Sequence, residues 1–251
     1  MPDDLAPSGL HKPRRVQSGV ATSDVEVSAH IGDNADLFPR ILKLHVPDGA
    51  KIADVTYGKG VFWRNVPEGL YDLHASDLKT GVDFRALPYA DASMDAVVID
   101  PPYMEGLLRE KKDTRAGSGT HDQFRDYYSS GAETGGGKWH QAVLDLYIAG
   151  GREAHRVLKD HGMFIVKCQD EVCANRQELT HVQLVNAYGA MGFYARDLFV
   201  LVRTGRPGVS RLLKQVHARK NHSYFLVFEK VPQGRAVETY KSKPVKPLIE
   251  R

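Results

Sequence analysis

The sequence predicts an α/β protein built on a doubly wound, mostly parallel sheet that closes with an antiparallel pair of strands at its C-terminal side. Three observations predict it. Short apolar runs alternate with segments of helical period. One such run leads straight into a glycine turn, Gly58-Lys59-Gly60, and another, Ala96-Val97-Val98-Ile99, stops at Asp100-Pro101-Pro102-Tyr103. An acid, two prolines and an aromatic ring at the end of a buried strand read as a site rather than as packing. The prolines cannot continue a ladder, and they leave Asp100 and Tyr103 at the strand's carboxyl end, where sheets of this kind bind their ligands.

Composition bounds what the site is built on. The chain has 251 residues, 42% hydrophobic and 26% charged, enough for a full α/β core in one main domain over residues 29–231. A formal net charge of only +3 means that affinity for nucleic acid has to come from clustered charge. Cys168 and Cys173 form no CxxC pair and lack a second pair, so a reducing compartment and no structural metal are expected. No apolar run reaches the roughly 20 residues of a membrane span, and the N-terminus has no apolar signal core, which predicts a soluble, cytoplasmic protein.

Taken in order, residues 1–28 carry Pro, Ser and charge without helical or strand period and read as a flexible arm. Order begins near Ile31, and Asp36 to His45 predicts a short amphipathic helix starting at Pro39, a residue favoured in a helix's first turn. A strand over Lys51 to Val55 enters Thr56-Tyr57-Gly58-Lys59-Gly60, where glycine lets backbone approach a ligand closely. A second strand, Tyr71 to Ser76, ends at Asp77, about twenty residues on, where a carboxylate suits ribose hydroxyls. A third short strand is expected at Val82-Asp83-Phe84, followed by Met94 to Ile99.

Beyond the DPPY stretch, residues 104–138 hold mixed charge and two glycine clusters, and predict a lid or substrate-binding loop. Phe124, Tyr127 and Tyr128 there serve either nucleic acid or the loop's own anchoring. Gln141 to Leu158 has the period of a helix covering the sheet. Met163 to Cys168 reads as a buried strand after the turn His161-Gly162, with Lys167 facing either substrate or solvent, and Thr180 to Ala190 as another helix. Strands at Phe193 to Val202 and Tyr224 to Phe228 frame a segment, 203–222, that carries Arg203, Arg206, Arg211, Lys214, Arg219 and Lys220 without an acid from Arg203 to Lys220. Uncompensated cations on a loop at a sheet edge suit a phosphate backbone. The remainder, 232–251, reads as a basic flexible tail.

Asp54, Val55-Thr56-Tyr57-Gly58-Lys59-Gly60, Asp77, Asp83 and Asp100-Pro101-Pro102-Tyr103, in that order, resemble the successive motifs of the S-adenosylmethionine-dependent amino-methyltransferases of DNA, some of whose relatives act on RNA. The resemblance runs from about Phe38 to Glu229. It departs from the usual pattern where Val55-Thr56 stands for Pro-Phe and where Pro67 and Gly69 cut short the helix after Gly60. It implies a Rossmann-like, seven-stranded class I methyltransferase fold, S-adenosylmethionine as cofactor, and nucleic acid as partner, DNA before RNA, with the protein a monomer or homodimer. The implied catalytic residues are Asp100, Pro101, Pro102 and Tyr103. The implied cofactor residues are Asp54 and Thr56, Gly58 and Gly60 at the methionine part, Asp77 on the ribose, Asp83 on the adenine amine, Phe84 beside it, and Phe38 as an apolar wall. Aspartate at the head of the motif favours adenine, with cytosine the alternative. A rival of another class is a catalytically silent nucleic-acid-binding protein with the same fold.

Overall fold

The computed structural model describes residues 23, 25–104, 140–205 and 214–243. Its strands are β1 (Ala29–Ile31), β2 (Lys51–Asp54), β3 (Asp72–Ala75), β4 (Met94–Ile99), β5 (Leu158–Cys168), β6 (Glu171–Cys173), β7 (Arg176–Glu178), β8 (Phe193–Val202) and β9 (His222–Lys230). Three α-helices accompany them among the described residues: α1 (Asn34–His45), α2 (His140–Val157) and α3 (Thr180–Ala190). Seven strands form one sheet in the order β1-β8-β9-β5-β4-β2-β3, and β6 and β7 form a separate hairpin. Only β9 runs against its neighbours β5 and β8; every other pairing in the sheet is parallel. The predicted antiparallel closing pair is therefore β8 and β9.

The central strands read as continuous apolar runs because both of their faces are covered. Val97, Ile99, Phe164, Val166, Leu226 and Phe228 pack against α2 and α3, while Ala96, Val98, Met163, Ile165, Phe225 and Val227 pack on the side of α1. Gly151 lets α2 lie close to α3, since a Cβ there would stand 2.3 Å from the Tyr188 ring. Helices on both faces make the sheet doubly wound, and its carboxyl edge gathers the ends of β2, β3, β4 and β5.

Several expectations are corrected. The predicted strand at Val82-Asp83-Phe84 does not form: the Asp83 carboxylate accepts the Arg85 amide at 2.9 Å and the Ala86 amide bonds the Asp83 carbonyl. Such a side-chain turn bends the chain out of extension. The seventh strand comes instead from β1, which pairs with β8 at the opposite edge. The helix α1 begins before Pro39, at Asn34, where the Asp33 side chain caps it by accepting the Asp36 amide at 3.0 Å, so Pro39 lies inside it. In β5, four residues loop out between the pairs Met94↔Leu158 and Ala96↔Met163, and His161 there takes φ 67°, so the expected turn is a bulge within a longer strand. The part of the tail that is described does not lie free. Tyr240 is buried, its hydroxyl donates to the Glu229 carboxylate, Ser242 donates to the same carboxylate at 2.5 Å, and Arg196 reaches it at 2.8 Å. None of the described helices is long and apolar enough to cross a membrane.

Candidate active site

The strand β4 delivers Asp100 to the carboxyl edge with its side chain buried. Its backbone is fixed there by the neighbouring turn: the Asp100 amide donates to the Thr56 hydroxyl at 2.7 Å, and the Val55 amide donates to the Val98 carbonyl at 3.2 Å. The glycine turn and the DPPY stretch are thus one hydrogen-bonded unit. The Asp100 carboxylate accepts the Tyr103 hydroxyl. Burial pushes its pKa up to about 6, against the Tyr103 bond and the positive fields of Lys167 and Arg203. The same burial raises Tyr103 well above its ordinary value and keeps it a donor. Behind the motif, the Tyr147 hydroxyl donates to the Lys167 carbonyl at 2.9 Å and lies 3.4 Å from the Pro101 carbonyl. It ties the ends of β4 and β5 together.

Lys167 is neither exposed nor at the mouth of the crevice. It is 1% exposed, with Nζ donating to Asn34 Oδ1 at 2.9 Å and standing 3.9 Å from the centroid of the Phe225 ring. Strand register explains its surroundings. Ile99 pairs with Val166, so Asp100 and Lys167 come next side by side, and Lys167 pairs with Phe225. Asp100, Lys167 and Phe225 form a row across β4, β5 and β9 on the α1 face. Burial pulls the Lys167 pKa down to about 7, with Asp100 opposing it.

Among the cofactor candidates, Asp54 is buried at the end of β2, accepts Trp63 Nε1 at 2.7 Å and the Thr56 amide at 3.1 Å, and is pushed by burial to about 7. Gly58 and Gly60 take φ of 55° and 64°, the left-handed region that a Cβ penalises. Beyond Gly60 the chain forms a 3-10 turn, Val61–Trp63, rather than an α-helix, in line with the truncation signalled by Pro67 and Gly69. Asp77 lies two residues beyond the end of β3 and caps the turn Leu78–Thr80, its Oδ1 accepting the Thr80 amide at 3.0 Å. Asp83 is chelated by Arg85, whose Nη2 lies 2.6 Å away. Phe38 and Phe84 stand in the core: Phe38 is fully buried among Phe62, Trp63 and Phe225, and Phe84 packs under Gly150.

The six cations of the 203–222 segment do not act alike. Arg203, held through its amide to the Asn221 carbonyl at 2.8 Å, is exposed at the end of β8, and its field reaches Asp100, Tyr103 and Lys167. Lys214 and Arg219 are exposed, and Lys220 donates to Gln177 Oε1 at 2.6 Å. Arg206 and Arg211 lie outside the described residues, as do 105–138 of the expected lid, with Phe124, Tyr127 and Tyr128. Sequence reading missed a polar network on the same edge. Asp170 accepts His181 Nδ1 at 2.7 Å and the Tyr224 hydroxyl at 3.2 Å, and His140 stands between Glu171 at 2.6 Å and Gln183 at 2.7 Å. The network joins Asp170 and Glu171, beside the end of β5, to α2, α3 and β9, which no single stretch of sequence marks.

The profile of a family described as DNA methylase, of the N6/N4 type, matches residues 94–249, more than half of the chain. The chain belongs to this family. For this DNA methylase family member the match begins at β4 and takes in the DPPY stretch, while the glycine turn precedes it. No curated protein sequence matches the chain. Similar solved structures include TrmN from Thermus thermophilus, 16% identical with a TM-score of 0.44 over 78% of this chain and 48% of that one. Another is the 1,6-didemethyltoxoflavin-N1-methyltransferase of Burkholderia thailandensis, solved with S-adenosylhomocysteine, 14% identical with a TM-score of 0.46 over 79% of each chain. A third, described as a DNA modification methylase, also from Thermus thermophilus and in complex with S-adenosyl-L-methionine, is 19% identical with a TM-score of 0.35 over 59% of this chain and 50% of that one. The chain thus spans about half the length of two of these proteins.

Proposed function

We propose that this DNA methylase family member transfers a methyl group from S-adenosylmethionine to the exocyclic amine of a nucleobase, with adenine in DNA as the preferred target. The observation that carries the reading is the Asp100 carboxylate, buried at the strand end, rigid through Thr56, and engaged by a hydroxyl rather than by a cation within ion-pair distance among the described residues. A nucleobase amine is a weak nucleophile because its lone pair is delocalised into the ring. Asp100 and the Pro101 carbonyl would accept its two hydrogens, favour a tetrahedral nitrogen and align it for in-line attack. The amine takes the place of the Tyr103 hydroxyl on the carboxylate, which turns the Tyr103 ring into a face for the unstacked base. The proton leaves the methylated nitrogen through Asp100.

The residues present fit the cofactor in part. Left-handed glycines in the turn after β2 and a carboxylate just after β3 suit the methionine part and the ribose of S-adenosylmethionine, through Gly58, Gly60 and Asp77. When bound, this cofactor supplies a methyl group already activated on a sulfonium. Asp83 serves the cofactor adenine only while shared with Arg85. Arg203, Lys214, Arg219 and Lys220, with Arg206 and Arg211, would follow the phosphates. Adenine is preferred on the resemblance of a DPPY motif headed by aspartate.

Incubating the protein with methyl-labelled S-adenosylmethionine and competing DNA and RNA acceptors tests the reading. Label is expected in DNA as N6-methyladenine, with Asp100→Ala losing about 10²–10⁴-fold of the rate. Label in RNA or on cytosine N4 would move the target. The absence of α-helix after Gly60 favours a second reading, a nucleic-acid-binding protein without catalysis. Calorimetric titration with S-adenosylhomocysteine separates the two, because that protein would release no binding heat.

A further inference from the structure

We propose that Lys167 is a positioning residue for methyl transfer: its buried ammonium, pinned by Asn34 and the Phe225 ring, holds Asp100 as the carboxylate that receives the target amine. The inference rests on the function proposed above. Lysine is among the residues least often fully buried, yet here it fills a core position in the row Asp100, Lys167, Phe225 at 1% exposure. A methionine or leucine at such a position would ordinarily stabilise the fold as well or better. The charge therefore calls for a use.

Its partners define that use. An ammonium has three donors, and among the described residues Nζ makes one hydrogen bond, to Asn34 Oδ1, while the Phe225 ring faces it at 3.9 Å. Nζ forms no ion pair within 4 Å of a carboxylate among those residues. Asn34 and Phe225 hold the cation back, so that its field reaches Asp100 without covering the oxygens that must accept the amine's hydrogens. In a water-poor interior such a field is strong, whereas the exposed Arg203 acts through solvent.

The groups facing Asp100 are Tyr103 from its own turn, Asp54 from the end of β2, Lys167 from β5 and Arg203 from the end of β8. Those facing Lys167 are Asp100, Arg203 and the Cys168 thiol, which burial keeps protonated. Lys167 is thus the one buried lysine or arginine among the described residues, and it opposes the burial that favours a neutral Asp100. A protonated Asp100 would accept the amine's hydrogen only weakly, through its carbonyl oxygen, and could not take the proton that the methylated nitrogen releases.

The test uses two readouts on the whole protein. Carbon-13 NMR of labelled aspartate follows the Asp100 carboxyl in the absence of substrate, and single-turnover methyl transfer is measured over a pH series from mildly acidic to mildly basic. Lys167→Met, unbranched, uncharged and one atom shorter, is expected to raise both the Asp100 titration and the acid limb of the rate by about one unit. That is about a fivefold loss near pH 6, approaching tenfold at lower pH and recovered by about pH 8; Lys167→Arg restores the limb. Asn34→Ala, a milder change if the methionine variant does not fold, frees Nζ toward Asp100 and is expected to lower its titration. A rate that falls equally at every pH with the Asp100 titration unmoved would give Lys167 a packing role and overturn the proposal. If the wild type methylates nothing, the function fails while the NMR titration still decides the pair.

Discussion

The hydroxyl of Thr56 accepts the backbone amide of Asp100 at 2.7 Å, and by that bond the turn expected to face the cofactor holds the residue expected to face the amine. Both partners are buried. Thr56→Val keeps the shape and removes the acceptor, leaving an amide without a partner, which costs about 1–3 kcal/mol. Urea unfolding should show that loss, and Thr56→Ser should regain most of it. If the site acts as proposed, methyl transfer falls further than the loss of folded protein accounts for, because Asp100 is no longer fixed.

Gly60→Ala probes the turn itself. At φ 64° a side chain is strained, and the added Cβ would stand 2.5 Å from the Tyr57 hydroxyl oxygen and 2.7 Å from Cζ. A destabilisation of about 1–3 kcal/mol is expected in thermal or denaturant unfolding. Combining it with Tyr57→Ala removes the collision but not the backbone strain, so the pair should be less than additive.

Asp54 makes stability depend on pH. Burial raises its folded pKa to about 7 from an ordinary value near 4, so the native state binds the proton more tightly than the unfolded chain. Its contribution is full below about pH 4 and is lost as pH rises through about 7. Between about pH 5 and about pH 8 the wild type should lose about 2–3 kcal/mol on this account. Asp54→Asn should flatten that part of the curve, measured by guanidinium unfolding at a series of pH values, whatever it does to stability at any single pH.

Glu229 anchors the C-terminal segment. Burial alone would raise its pKa, but Ser242, Tyr240, His161 and Arg196 together hold it below the usual carboxylate range. It therefore stabilises the fold above its unfolded pKa, and that share fades as pH falls through the folded value. Glu229→Gln leaves Arg196 without its carboxylate and should cost about 2–4 kcal/mol. Limited trypsin digestion at Arg235 and Lys241 should quicken in the variant; equal rates would mean that other contacts hold the segment.

How much of this was legible in the sequence depended on whether a signal was local. The apolar run into Asp100-Pro101-Pro102-Tyr103, the helix Thr180–Ala190 and the closing strands are patterns within one stretch, and each lies where expected. Val82-Asp83-Phe84 looked like a strand because apolar residues flank an acid, but Asp83 bonds the Arg85 amide and turns the chain. Strand β1 offers three residues with no apolar run, so only its pairing with β8 defines it. Lys167 carried the least visible role: its strand was plain, yet that Asp100 and Phe225 lie to either side follows from register, which no single stretch encodes. Glu229 likewise sits in an apolar strand, and its partners Arg196, Tyr240 and Ser242 come from elsewhere in the chain.

The bond between Asn34 and Lys167 joins residues 133 positions apart, and that separation sets the order in which the crevice can be assembled. The glycine turn and the DPPY stretch are synthesised early and can meet through Thr56 while β5 is still unmade. Asn34 must wait for Lys167, and Lys167 for Phe225 on β9. During synthesis Asp100 is therefore made well before Lys167 and Phe225, and the row across the sheet can close only once β9 has been made.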